Sequence, residues 1–243
     1  MSPEAKLATD ERSQRIAQIS LENALMALKY FHWLAGMKIL DLGAGKCWLT
    51  AKLAKQHQCV ALDILVKFPH GLEAADVFMK HSQIFFERVA ADMIELPFKD
   101  NSFDIVLTNA ALHHSPNLLK TLREVYRVLT PEGKVILLSE PCLGWFGRQE
   151  RKSIEEEKVI GLNEQRYTLK EWINNFRMTG FHSFDFFLPF NISKVLKTRD
   201  GFFRILGIII NIMPALIRNI MVRRFSKTVL TIFDGFFNAI IYK

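Results

Sequence analysis

Apolar side chains between residues 8 and 33 fall at Ile16, Ile19, Leu21, Leu25, Leu28 and Trp33, near a helical repeat and with no proline or glycine between them. The spacing predicts an amphipathic N-terminal helix. Beyond it the pattern shortens to runs of apolar, β-branched and aromatic residues at 37–42, 59–65, 84–89, 103–109 and 134–140. Most are separated by helix-length stretches. Strands alternating with such connections predict right-handed crossovers and a parallel sheet covered on both faces. A helix is expected to open at Ser115-Pro116, with Ser115 as N-cap and proline as a tolerated first residue. It runs to Leu129, before the turn Thr130-Pro131-Glu132-Gly133. Another spans 168–178, stops at Gly180 and leads into a sixth strand over 181–188.

The rhythm breaks over 194–227, where a long apolar stretch, 205–217, is interrupted by Asn211 and Pro214 and bracketed by Lys and Arg. Residues 235–243 read as a closing strand. The expected organisation is therefore a core over 1–193, a basic, apolar helical insertion over 194–230 and a closing strand of the core over 231–243.

With 243 residues, 49% of them apolar, the chain can bury a full core. The net charge of +7 is local: residues 1–193 carry 23 basic and 23 acidic side chains, so the last fifty supply the whole excess. Cys47, Cys59 and Cys142 show neither CxxC spacing nor a disulfide framework, which points to thiols in a reducing, cytoplasmic setting. The polar start, MSPEAKLATDERSQR, lacks the pattern of a secretory leader.

Chemistry concentrates where the first strand ends. In Asp41-Leu42-Gly43-Ala44-Gly45, the glycines allow a tight turn and let a ligand reach bare backbone. Asp63, twenty residues after Gly43, closes the second strand, where a carboxylate can accept hydrogen bonds from both ribose hydroxyls. This pair alone fits several nucleoside cofactors. Trp48 stands at the third glycine of a dinucleotide fingerprint, which argues against nicotinamide. Asp41 suits a cofactor ending in an ammonium group.

The series DLGAGKC, Asp63, ADMIELPFKDNSFDIVLTNAALHH and LREVYRVLTPEGKVILLSEP resembles the motif series of class I S-adenosylmethionine-dependent methyltransferases. It is most similar to the branch of the ubiquinone and menaquinone C-methylases, over roughly residues 36–141. The resemblance implies a doubly wound, seven-stranded, mostly parallel α/β sheet and S-adenosyl-L-methionine as cofactor. Asp41, Gly43, Ala44 and Gly45 would surround the methionine part and Asp63 would hold the ribose. Asp92 would meet the adenine amino group with Met93 beside the ring, and Asn109 and Ala110 would sit by the methionine moiety. Cys47 departs from the pattern, standing where the family has a third glycine.

His113 and His114 follow the fourth strand at the expected pocket mouth. His114 is the candidate general base; the alternative is that it only shapes or caps the pocket. No third ligand is spaced to make the pair a metal site, so no metal is expected. Asp104 opens a strand and is expected to fix local backbone, Trp48 to form wall, Tyr167 to bring a loop toward the substrate, and 148–158, rich in both signs, to be solvated. Between 194 and 227 there are eight basic residues and one acidic. The apolar run there is short of the roughly 20 residues a membrane span needs. Three uses stay open: a lid, a dimer contact, or contact with an anionic membrane that admits a hydrophobic or lipid-linked acceptor. Nucleic-acid binding is not expected. The functional expectation is methyl transfer to an oxygen or carbon of such an acceptor. The rivals are a cofactor-binding membrane-surface protein without catalysis and a nicotinamide-dependent enzyme.

Overall fold

A computed structural model describes residues 22–26, 35–68, 70–144, 165–189, 208–209, 224, 226–232 and 235–243. The strands are β1 Lys38–Leu42, β2 Gln58–Asp63, β3 Glu87–Ala90, β4 Phe103–Asn109, β5 Leu129–Leu143, β6 Tyr167–Thr168, β7 Ser183–Phe187 and β8 Gly235–Tyr242. The helices are α1 Trp48–Leu53, α2 Ala75–Ser82, α3 Leu118–Val128, α4 Leu169–Thr179 and α5 Ser226–Ile232. Residues 22–26 are also helical; the rest of the N-terminal helix expected over 8–33 lies outside the described residues, as do 148–158 and most of 194–225.

The continuous sheet runs β3-β2-β1-β4-β5-β8-β7, and the two-residue β6 pairs with β5. β1 to β5 are parallel neighbours, whereas β8 lies antiparallel between β5 and β7. This is the doubly wound, mostly parallel architecture expected from the alternation of strands and helices. Its central strands are buried on both faces, as continuous apolar strands must be: Ile39, Leu40, Val106, Leu107, Leu137 and Leu138 are all buried.

Local chemistry sets the helix ends. Thr168 caps α4 in a reciprocal box with Glu171, and Gly180 ends the helix at φ 110°, a conformation glycine adopts without strain. The α4 face carrying Trp172 and Phe176 packs on Phe237 and Phe186 of the antiparallel strands. The expected start of α3 is displaced. Asn117, not Ser115, is the cap, its side chain accepting from the Lys120 N–H, while the Ser115 hydroxyl pairs with Thr121. Nor does Thr130–Gly133 separate helix from strand. β5 starts directly at Leu129, and the predicted turn is absorbed as an irregularity between the pairs Phe103–Leu129 and Ile105–Lys134. At the amino edge, Asp104 accepts the Lys38 N–H at 2.9 Å and so ties β4 to β1.

Candidate cofactor site at the carboxyl edge

The parallel strands end on one edge, and the turn after β1, Asp63, Asp92, Met93, Asn109 and Ala110 stand at their carboxyl ends. Gly43 and Gly45 have φ of 74° and 49°, which permits the turn. The N–H groups of Gly43 and Ala44 both donate to the Leu62 carbonyl, at 2.8 and 3.0 Å, fixing the turn against β2. A Cβ on Gly43 would stand 2.4 Å from that of Ala111 and 3.9 Å from the Met93 methyl. The turn after β1, the segment after β3 and the loop after β4 therefore meet at Gly43.

Asp63 spans the neighbouring gap. One of its carboxylate oxygens accepts from the Gly45 N–H at 2.7 Å and the other from the Leu65 N–H at 2.8 Å. Asp92, after β3, accepts from the Ile94 N–H at 3.1 Å. Asp41 lies beneath the turn rather than on its surface. It is 2% exposed, and its carboxylate accepts from the Thr50 hydroxyl of α1. Burial pushes it up to about 6 against the opposing hydrogen bonds from Thr50, and the nearby charge of Asp63 adds to the rise.

Backbone strain marks the same edge. Cys47 sits at φ 59° in the left-handed region, and Ala110 and Ser139 at 51° and 57°. The family's third glycine is thus replaced by a residue that keeps the glycine-like conformation. The Cys47 side chain is buried, and its thiol contacts the Gly45 carbonyl at 3.6 Å. Burial pushes that thiol far up, away from thiolate chemistry.

Two residues not singled out from the sequence organise the β4 loop. Ser139 forms a bulge where β5 and β8 slip register between Leu137 and Glu140. Just beyond it, Glu140 is wholly buried, with one oxygen accepting from the N–H groups of Ala111 and Leu112 at 2.9 and 3.0 Å. Its other oxygen meets His113 Nδ1 at 3.0 Å. Burial alone would raise the Glu140 carboxyl. The hydrogen bond and charge of His113, with the Leu112 and Ala111 N–H groups, outweigh it and hold the group below the usual carboxylate range. The only signal in the sequence was an acid closing an apolar strand, in Leu-Leu-Ser-Glu-Pro. His113 is therefore buried against Glu140, while His114 is exposed. Asn23, from the N-terminal helix, closes the edge above Ser139: it donates to the Ser139 hydroxyl at 2.9 Å and exchanges amide hydrogen bonds with Asn238. Tyr167, half-buried, packs edge-on against Trp172 at 5.2 Å.

A glycine turn after β1 and a carboxylate ending β2 stand together on the carboxyl edge of the sheet, the edge at which doubly wound folds place nucleoside cofactors. Residues 40–137 match the family model described as a methyltransferase domain. The demethylmenaquinone methyltransferase of Corynebacterium efficiens is 38% identical over 140 residues, covering 54% of this chain and 57% of that protein. The 27-O-demethylrifamycin SV methyltransferase of Amycolatopsis mediterranei is 32% identical over 106 residues, 42% of this chain and 38% of that one. The chain spans about half the length of the curated relatives it matches. Among solved structures, YcgJ of Bacillus subtilis superimposes with a TM-score of 0.60 at 18% identity, over 91% of this chain and 96% of that one. Phosphoethanolamine N-methyltransferase 2 of Haemonchus contortus, solved with S-adenosylhomocysteine, gives 0.64 at 17% identity, over 91% and 52%. The fold is that of the Rossmann-like methyltransferases.

Proposed function

We propose that the chain is an S-adenosylmethionine-dependent methyltransferase acting on an oxygen or carbon of a small, hydrophobic or lipid-linked acceptor. The observation that carries this reading is the Asp63 carboxylate beside the Gly43–Gly45 turn, inside the region that matches a methyltransferase domain. These residues suit the cofactor. Gly43 leaves bare backbone where a side chain would collide with Ala111, Asp63 sets a carboxylate directly beside the turn as a candidate acceptor for ribose hydroxyls, and Asp41 supplies negative charge below it for an ammonium group. Asp92 and Met93 follow β3, where an adenine would lie, and Asn109 and Ala110 end β4 beside the turn.

Bound there, the cofactor supplies a methyl group on a sulfonium centre. The chain's part is to orient an acceptor in line with that methyl, an effect worth up to roughly 7–11 kcal/mol in favourable systems. His114, exposed after β4, is the residue we assign to accept a proton from an acceptor that carries one. The demethylmenaquinone methyltransferases among the relatives support an apolar acceptor.

The test is calorimetric titration with S-adenosylhomocysteine of the wild type and Asp63→Ala, with NADH as control. Saturable binding that the substitution removes supports the reading. A folded wild type that binds NADH instead, or neither ligand, overturns it. Binding without methyl transfer to any acceptor would leave a non-catalytic cofactor-binding protein.

A further inference from the structure

Solvent-exposed apolar side chains are unevenly placed about the sheet. Ile64, Leu65, Val66 and Phe68, directly after Asp63 at the carboxyl edge, are 67, 57, 39 and 51% exposed. Leu25, 41% exposed, follows the Asn23 anchor on the same edge. Isolated exposed apolar residues carry no message, but four within five positions concentrate apolar surface on one loop, which water alone does not favour.

The loop is firmly built. The carbonyls of Leu65, Val66 and Lys67 accept from the N–H groups of Leu72, Glu73 and Gly71 at 3.0, 2.9 and 2.9 Å. The Glu73 carboxylate accepts from the Phe68 N–H at 3.1 Å and from Lys67 Nζ at 3.2 Å. A Cβ at Gly71 would lie 2.4 Å from the Leu65 carbonyl oxygen, so glycine is what lets the loop close. Asp63 holds the Leu65 N–H from inside.

We propose that this loop docks on a lipid bilayer carrying anionic headgroups, seating the apolar side chains of Ile64–Phe68 among the acyl chains beside the cofactor site. The partner's chemistry follows from the loop's hydrogen bonds. Backbone groups entering lipid must already be satisfied, and the three tip carbonyls are satisfied within the loop. Lys67, its side chain 89% exposed and its charge offset by Glu73, has the reach to keep its ammonium at the headgroups. The anionic preference follows from topology. The chain leaves the sheet at Phe187 and returns at Gly235, both on the carboxyl edge, and the intervening sequence at 194–227 carries eight basic residues and one acidic. Among the described residues no helix is long and apolar enough to cross a membrane, so the contact is peripheral. Its purpose rests on the methyltransferase reading above, since a lipid-linked acceptor would be met at the same edge; the contact itself does not.

Flotation with phosphatidylcholine vesicles, with and without phosphatidylglycerol, tests the proposal on the full chain. Wild type is expected to float with the anionic vesicles at low salt. The Val66→Ser/Phe68→Ser variant is expected to partition at least about tenfold less. Phe85→Ser, which removes an 80% exposed ring before β3 at the opposite edge, is expected to behave as wild type. In Phe68→Trp, the added emission is expected to shift to the blue on vesicle binding. Wild type that ignores anionic vesicles, a double variant that floats as well as wild type, or an equal loss in Phe85→Ser overturns the proposal. So does a wild-type dimer that the double variant converts to monomer, because a second copy would then cover the loop. Titration of the same proteins with S-adenosylhomocysteine separates the two readings. Flotation without cofactor binding sinks the methyltransferase and keeps the docking; binding without flotation does the reverse.

Discussion

The carboxylate of Glu140 holds His113 from both its backbone and its ring: the Glu140 oxygen 3.0 Å from Nδ1 also takes the His113 N–H at 3.3 Å. With its second oxygen on the N–H groups of Ala111 and Leu112, this one buried side chain sets the path of the loop after β4. That loop contacts the glycine turn through Ala111 and presents His114 to solvent.

Breaking such a pair leaves a buried group without its counterpart, at a cost of about 3–5 kcal/mol. Glu140→Gln, which keeps the shape but sets an amide against N–H donors, is expected to lower the urea midpoint by a corresponding amount. The loss should grow less marked in acid. Because the folded state holds Glu140 below its ordinary range, its contribution is fully present above about pH 4.5 and is lost as the pH falls through the folded value. Equal acid sensitivity in wild type and variant would rule out Glu140 as the source.

Asp41 has the opposite sign. Burial raises it from 3.8 to about 6, so the unfolded chain releases this proton before the folded one, and stability declines between about pH 4 and pH 6. The difference amounts to about 3 kcal/mol. Asp41→Asn should flatten that part of the stability profile and leave the acid limb to Glu140. A ligand ammonium favours the ionised form, so S-adenosylhomocysteine should bind wild type up to about tenfold more weakly at pH 5 than at pH 7, and Asp41→Asn without that dependence. Calorimetry at the two pH values decides it; the same pH dependence in the asparagine variant would assign the proton to another group.

The succession of strands along the chain and the edge that gathers the site were legible because parallel strands buried on both faces read as unbroken apolar runs: 103–109 was marked correctly at both ends. The residues that shape the edge were not. Ser139 adopts positive φ through its place in a bulge, which no local residue preference announces, and Glu140 is turned inward by that bulge. Asn117 and Ser115 are both good caps, and only the side-chain pairing of Ser115 with Thr121 left Asn117 to the helix. The departure at Cys47 was visible, but its left-handed backbone was not.

That backbone makes Cys47 a direct probe. A non-glycine residue in this region costs roughly 1–2 kcal/mol. Glycine would remove the strain while losing a small buried side chain and gaining unfolded-state entropy. Cys47→Gly is therefore expected to lie within about 1 kcal/mol of wild type, whereas Cys47→Val, β-branched at positive φ, should lose at least about 2 kcal/mol. Chemical denaturation measures both. A large loss in Cys47→Gly would show that side-chain packing, not the turn, dominates here. All three thiols are buried, so a thiol reagent should label none of them until the chain unfolds.

The two glycines of the turn should differ sharply, because their surroundings differ. Alanine at either position meets an unfavourable φ, but only at Gly43 does the new methyl overlap a neighbour: 2.4 Å to the Ala111 Cβ, against 3.8 Å to the His70 carbonyl oxygen at Gly45. Gly43→Ala must therefore push the β4 loop away from the turn, against the hydrogen bonds by which Glu140 holds Ala111 and Leu112. Gly45→Ala needs only a local adjustment, which the Asp63 carboxylate can follow. Gly43→Ala is expected to abolish S-adenosylhomocysteine binding and to cost about 1–3 kcal/mol in stability, and Gly45→Ala to weaken binding while costing about 1 kcal/mol. Combining Gly43→Ala with Ala111→Gly removes the overlapping Cβ and should recover part of the binding. Failure of that rescue would mean that backbone conformation at Gly43, rather than contact with the β4 loop, controls the turn.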